Sequence, residues 1–196
     1  MPRKSAASDK PLKEHILDVA DQLFYGQGLH AVGIDRVIAA AKIAKTSLYR
    51  YFPSKDVLIQ AYLERRNQRF WQLLEVALAD CDPTPMAQLV GVIDYIAWLL
   101  EQPEWQGCPF LLAASEFADA EHLSRQVVVA HKEMVCDRIS ILAKAVGLSQ
   151  PQTLATQLTM LIDGGFSQAR YLGTGQISQT FKLAAMALIH QQTSAS

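Results

Sequence analysis

Apolar residues recur at intervals of three and four along almost the whole chain, and nowhere in a sustained alternation of two. That feature decides the fold class, because a helix returns to the same face every ~3.6 residues and a strand every two. Ile16, Val19, Ala20, Leu23 and Phe24 mark a first helix, stopped at Gly26-Gln27-Gly28. Ile34, Val37, Ile38 and Ala41 mark a short second one, and a third runs from about Lys45 to Tyr51 and is closed by Pro53. Ser54 is placed to cap a long fourth helix that reaches about Ala79. Past the break at Asp82-Pro83-Thr84-Pro85, the same spacing marks helices over about 86–100, 110–117, 121–146, 154–172 and 181–189. The expected fold is all-α, with roughly nine helices.

Composition narrows the class of protein. Of 196 residues, 50% are hydrophobic and 19% charged, too apolar for a disordered chain or one that coats nucleic acid with charge. The apolar run Ile96–Leu100 is far short of the ~18–20 residues that span a bilayer. Arg3 and Lys4 are followed by Ser, Asp and Lys where a signal peptide would be apolar. A cytoplasmic protein with no membrane partner is expected. Cys81, Cys108 and Cys136 lie far apart and form no CxxC, which fits reduced thiols and disfavours a zinc site or a disulfide framework.

Charge is unevenly placed. The net charge is −1, yet residues 1–66 hold 11 Lys/Arg against 7 Asp/Glu, net +4, and the remainder hold 7 against 12, net −5. A basic module on an acidic body results.

Inside that module, residues 33–52 place two short helices either side of a turn of three or four residues, a helix-turn-helix pattern. Leu48 and Phe52, four apart, are expected to face inward. Lys45, Thr46, Ser47 and Arg50 are polar or cationic and suited to base edges and phosphates, and Tyr49 and Tyr51 to phosphates. Lys55 opens a helix, where the dipole disfavours a cation, so an anion outside the helix explains it better than solvation does. Arg36 and Lys42 complete the candidate DNA-binding set.

From about Pro11 to Tyr62 the chain resembles the TetR family of transcriptional regulators. The resemblance rests on Ile16 to Ala20 with Leu23-Phe24, on Gly28, and above all on Lys45-Thr46-Ser47-Leu48-Tyr49-Arg50-Tyr51-Phe52-Pro53-Ser54-Lys55-Asp56. Further on, 107–111 and 113–117 look like a stretch found in some members. The resemblance implies a DNA-binding domain over 1–55, its first ten residues a flexible arm, and a ligand-binding and dimerisation bundle over 56–196. It also implies a homodimeric repressor released from a palindromic double-stranded operator by a small-molecule effector, with no enzymatic activity. Lys45, Thr46, Tyr49, Arg50, Tyr51 and Lys55 match positions that touch DNA in relatives.

One departure stands out. Members often carry Gly in the turn and Ser or Thr before the second helix, whereas this chain has Lys42-Ile43-Ala44. Either the turn is strained, or Thr46 and Ser47 cap the helix instead.

In the body, Tyr95, Trp98, Trp105, Phe110 and Phe117 are candidates to line a ligand pocket, against the alternative of ordinary core packing. Arg170 could anchor an acidic ligand or pair across the dimer. Gly165 and Ala169 allow close helix approach, and with Leu158, Ile162, Phe181, Ala185 and Leu188 they form the expected dimer seam. No cofactor or metal is expected. Asp119 and His122 give a single acid-x-x-His pair, where a di-metal carboxylate bundle needs two Glu-x-x-His motifs and two further Glu. Two rivals remain: an all-α metal-carboxylate enzyme, and a similar regulator controlled by a protein partner.

Overall fold

A computed structural model describes residues 11–193. The arm at 1–10, with Arg3 and Lys4, lies outside the described residues, as do 194–196. The described residues form nine helices and no strand: α1 (Leu12–Gln27), α2 (Ile34–Ala41), α3 (Lys45–Tyr51), α4 (Lys55–Ala79), α5 (Pro85–Leu100), α6 (Pro109–Glu116), α7 (Leu123–Val146), α8 (Pro151–Leu172) and α9 (Gly175–Thr193).

Local chemistry explains most boundaries. Pro85, Pro109 and Pro151 each open a helix, where the missing N–H has no intrahelical partner to lose. The Ser54 hydroxyl accepts the Val57 N–H at 3.2 Å and caps α4, as its position predicts. The last helix is longer than its apolar stripe suggests. Its first turn, from Gly175, is polar, and is tied down by Ser178, whose Oγ lies 3.1 Å from the Ala97 carbonyl and 2.8 Å from Glu101 Oε1.

The chain divides into two units, the first ending at Tyr62 and the second beginning at Leu63, so α4 belongs to both. In the first unit α1 to α3 and the start of α4 bury Ile16, Phe24, Leu48, Phe52 and Leu58, and Phe24 meets the edge of Tyr62 with ring centres 5.6 Å apart. The His15 ring nitrogen Nε2 lies 3.0 Å from the Ala41 carbonyl and joins α1 to the end of α2.

In the second unit α5 is the most apolar helix, burying Leu89, Ile93, Ile96 and Leu100, and it packs on α7 and α9. α8 lies on α7 and α9, and α6 on α7. At Gly91 a Cβ would come within 2.8 Å of the Leu78 side chain and 2.9 Å of the Cys81 sulfur, so any larger residue there would make those side chains shift. No described helix is long and apolar enough to cross a membrane.

Candidate nucleic-acid interface

α2 and α3 are joined by a turn that the backbone, not the side chains, holds in shape. Lys42 adopts the left-handed conformation, φ 54° and ψ 46°. Its N–H donates to Ala39 O at 3.2 Å and that of Ile43 to Ile38 O at 3.3 Å, the two bonds of a Schellman termination. α7 ends with the same pair of bonds, and there the left-handed residue is Gly147. Among the described residues Lys42 is the one non-glycine with positive φ. Ala44 then opens α3 without any side-chain cap. Of the two alternatives for this turn, strain is the one adopted, and Thr46 and Ser47 do not take over the capping.

Replacing Lys42 by glycine should therefore raise the unfolding free energy by about 0.5–1 kcal/mol, the left-handed penalty of ~1–2 less the added freedom of an unfolded glycine. Urea unfolding reads this, and a loss of stability would show that the Lys42 side chain contributes more than the strain costs. If Lys42 also touches a phosphate, the same variant loses about one from the salt slope of DNA binding.

α3 is anchored from behind by Leu48 and Phe52, both essentially inaccessible. Burying side chains of this size stabilises by about 1.5–3 kcal/mol each. Its other side is open: Lys45, Thr46, Tyr49 and Arg50 are exposed, and Ser47 and Tyr51 are half-buried. Arg36, on α2, is exposed too.

The cations on this face are held by neighbours. Lys45 Nζ donates to Asp35 Oδ1 at 3.1 Å and stands 6.0 Å from the centre of the Tyr49 ring. The bond to Asp35 holds the Lys45 ammonium above its usual range, so it stays charged. Arg50 donates to the Tyr51 hydroxyl at 3.1 Å, with its guanidinium 5.0 Å over that ring. A planar donor fork is thereby set in place before any partner arrives. Lys55 Nζ donates to the His30 carbonyl at 3.2 Å, which gives this first-turn lysine an acceptor within its own unit.

The residues considered for a ligand in the second unit fall into two groups. Tyr95, Trp98 and Phe110 belong to one chain of ring contacts: Trp98 stacks on Tyr95 at 5.8 Å, Tyr95 meets the edge of Phe70 at 5.3 Å, and Phe70 and Phe110 both contact His131. The Tyr95 hydroxyl donates to the Phe70 carbonyl at 3.1 Å, and burial pushes its phenol well above the usual range. The others stand apart. Trp105 leans on Phe166, Phe117 stacks on His122, and Arg170 is exposed against Gly107. Trp98 also reaches an open groove between α5 and α9 lined by Asp94, Glu101, Ser178 and Lys182.

Sequence reading missed Asn67 and Phe70. The available signal was a polar residue, His131, inside the apolar stripe Val128, Val135 and Ile139. Among the described residues no three His, Cys, Asp or Glu stand close enough together to hold a metal ion. Burial pushes the Cys108 thiol up, which keeps it protonated.

Five of the seven residues expected at the dimer seam are buried inside the protomer. Leu158, Ile162, Ala169, Phe181 and Ala185 are buried within one protomer, where they pack α8 on α9. Gly165 lies against Phe181 at 3.7 Å, and Leu188 is half-buried. An apolar stripe marks burial without saying what does the burying. The outward apolar side chains of these helices are Met160, Tyr171, Leu172 and Leu183, and Gly164 faces open space.

Comparison with known proteins agrees with this geometry. Residues 16–62, from within α1 to within α4, match the model for bacterial regulatory proteins of the tetR family. An uncharacterised HTH-type transcriptional regulator of Mycobacterium tuberculosis is 28% identical over 99 residues, 50% of this chain and 49% of that protein. The HTH-type transcriptional repressor DhaR of Mycobacterium sp. strain GP1 is 26% identical over 98 residues, covering 50% of this chain and 48% of its own. The chain thus spans about half the length of the curated relatives it matches. Structural likeness extends further: a TetR-family transcriptional regulator from Streptomyces coelicolor superposes with a TM-score of 0.88 at 29% identity, over 92% of this chain and 95% of that one. Residues 16–62 thus carry the segment typical of tetR-family regulatory proteins, and the whole chain resembles a TetR-family transcriptional regulator in fold.

Proposed function

We propose that the protein is a sequence-specific DNA-binding transcriptional regulator, acting as a homodimeric repressor that a small-molecule effector releases from a palindromic operator. The observation that carries this reading is α3. It is a two-turn helix pinned from behind by Leu48 and Phe52, and it presents Lys45, Thr46, Tyr49 and Arg50 outward. A helix of that length fits the major groove, and dimer symmetry would set two copies about one helical turn of DNA apart, ~34–36 Å, or a multiple of it. In this reading Lys42, Lys45, Ser47, Tyr49, Tyr51 and Lys55 position the backbone, joined by Arg36 from α2, while Thr46 and Arg50 face base edges. The reading gives the protein no catalytic step and no cofactor.

The dimer in this reading uses the outward faces of α8 and α9, with Met160 and Leu183 central and Gly164 allowing close approach. An effector bound in the C-terminal unit lowers operator affinity only as far as it prefers the released state over the bound one.

Replacing Arg50 by alanine should cost about 1–3 kcal/mol of operator binding and relax base preference at one position in each half-site. Competition with duplexes varied one base at a time measures both. A loss equal for every base would move Arg50 from reading bases to holding the backbone.

A further inference from the structure

From Ile34 to Lys55 the helix-turn-helix and the residues that close it hold five cations, Arg36, Lys42, Lys45, Arg50 and Lys55, and one acidic residue, Asp35. That carboxylate lies in the first turn of α2, where the helix dipole favours it. The dipole does not explain its partner. Asp35 Oδ1 accepts from Lys45 Nζ at 3.1 Å, and Lys45 is the first residue of α3. The one anion of this stretch is thus set on the cation at the leading end of α3, whose own first turn carries no acidic residue.

Both side chains are open to solvent, Lys45 at 61% and Asp35 at 78%. An exposed pair of this kind adds little to stability. Its consequence lies in binding. Paired, the two side chains present no net charge, and Lys45 reaches a phosphate only by giving up the carboxylate or sharing itself between two anions. Duplex DNA carries a negative charge every ~1.7 Å along its axis, so a displaced carboxylate meets like charge there. Lys45 also stands 6.0 Å from the centre of the Tyr49 ring, so the pair steadies the start of α3 as well as neutralising it.

These two effects fall differently on different DNA. Attraction to mixed sequences comes essentially from charge, so a neutralised lysine weakens it in full. Recognition of one sequence adds base contacts that need fixed geometry, and there a held lysine offsets part of the loss. We propose that Asp35 is a specificity-determining residue: it competes with DNA phosphate for Lys45 and so holds down binding to non-operator sequences. The inference rests on sequence-specific reading by α3 and adds to it a residue outside the set that contacts DNA.

Fluorescence anisotropy of the whole protein across a range of salt tests this on two probes: a mixed-sequence duplex pool, and the duplex that the wild type enriches from it. Asp35→Asn keeps the size and an acceptor oxygen while removing the charge. It should bind the mixed pool on the order of tenfold more tightly at about 0.1 M salt, with a salt slope steeper by about 0.9, the worth of one phosphate contact. The enriched duplex should gain less, so the ratio of the two affinities should narrow by at least about threefold. In a Lys45→Met background the same substitution should leave the slope unchanged, because no lysine is freed. An unchanged slope, an equal gain on both probes, or a slope that steepens just as much without Lys45 would overturn the proposal and leave recognition by α3 in place. If Asp35 serves only to steady α2, Asp35→Asn binds both probes more weakly, which would overturn it too. Failure of the wild type to enrich any duplex would remove sequence-specific reading itself, and this proposal with it.

Discussion

Replacing Phe52 by alanine should destabilise the N-terminal unit by about 3–5 kcal/mol and abolish specific DNA binding. The ring is 1% exposed, and the backbone N–H of Phe52 closes α3 on the Leu48 carbonyl at 2.9 Å. Removing it leaves a cavity behind a helix of only seven residues, which has no side-chain cap and begins after a strained turn. Such a helix owes its stability to packing rather than to its own propensity. A unit of this size has ~3–9 kcal/mol in all, so the loss is a large share of it. Urea unfolding followed by circular dichroism reads the effect. Thr46→Ala is the control, since Thr46 is exposed on the same helix: its stability should stay within about 0.5 kcal/mol while its DNA binding weakens. If Phe52→Ala were as stable as the control, the inward anchoring of α3 would be wrong.

Placing glutamate at Leu183 should split the dimer without unfolding the protomer. Leu183 is 66% exposed on α9, on the opposite side from the buried Phe181, Ala185 and Ile189, and Met160 is 70% exposed on α8. A charge at such a position changes protomer stability by no more than about 0.5 kcal/mol. Buried against a second copy, an unpaired carboxylate would cost several kcal/mol. The two half-sites would then be bound independently, and operator affinity should fall by about 10²–10⁴. Sedimentation and DNA titration measure the two consequences. A variant that stays dimeric would put the seam on another face.

The helix proposed to read DNA was legible in the sequence because it is built from local signals: a four-residue apolar spacing at Leu48 and Phe52, a proline stop, a serine cap and a run of hydroxyl and basic residues. Strain at Lys42 was one of two readings open for the turn, since a non-glycine residue stood where similar proteins often carry glycine. Less could be read where tertiary contacts decide. The polar start of α9 is held by Ser178 against α5, 81 residues away from its partner Ala97. The stripes of α8 and α9 were visible, yet their most regular positions are the protomer's own core and the outward apolar residues fall between them. Asn67 and His131 are 64 residues apart, and no pattern in either helix announces that they meet.

The central claim is that two copies of α3, held by one symmetric dimer, read a defined DNA sequence. Selection of bound duplexes from a random pool by the purified protein, at near-physiological salt, tests it most directly. The account predicts enrichment of an inverted repeat whose half-sites are about one helical turn apart, or a multiple. Binding that enriches no sequence and fades as salt rises would contradict it, and would leave only a basic surface that attracts phosphates.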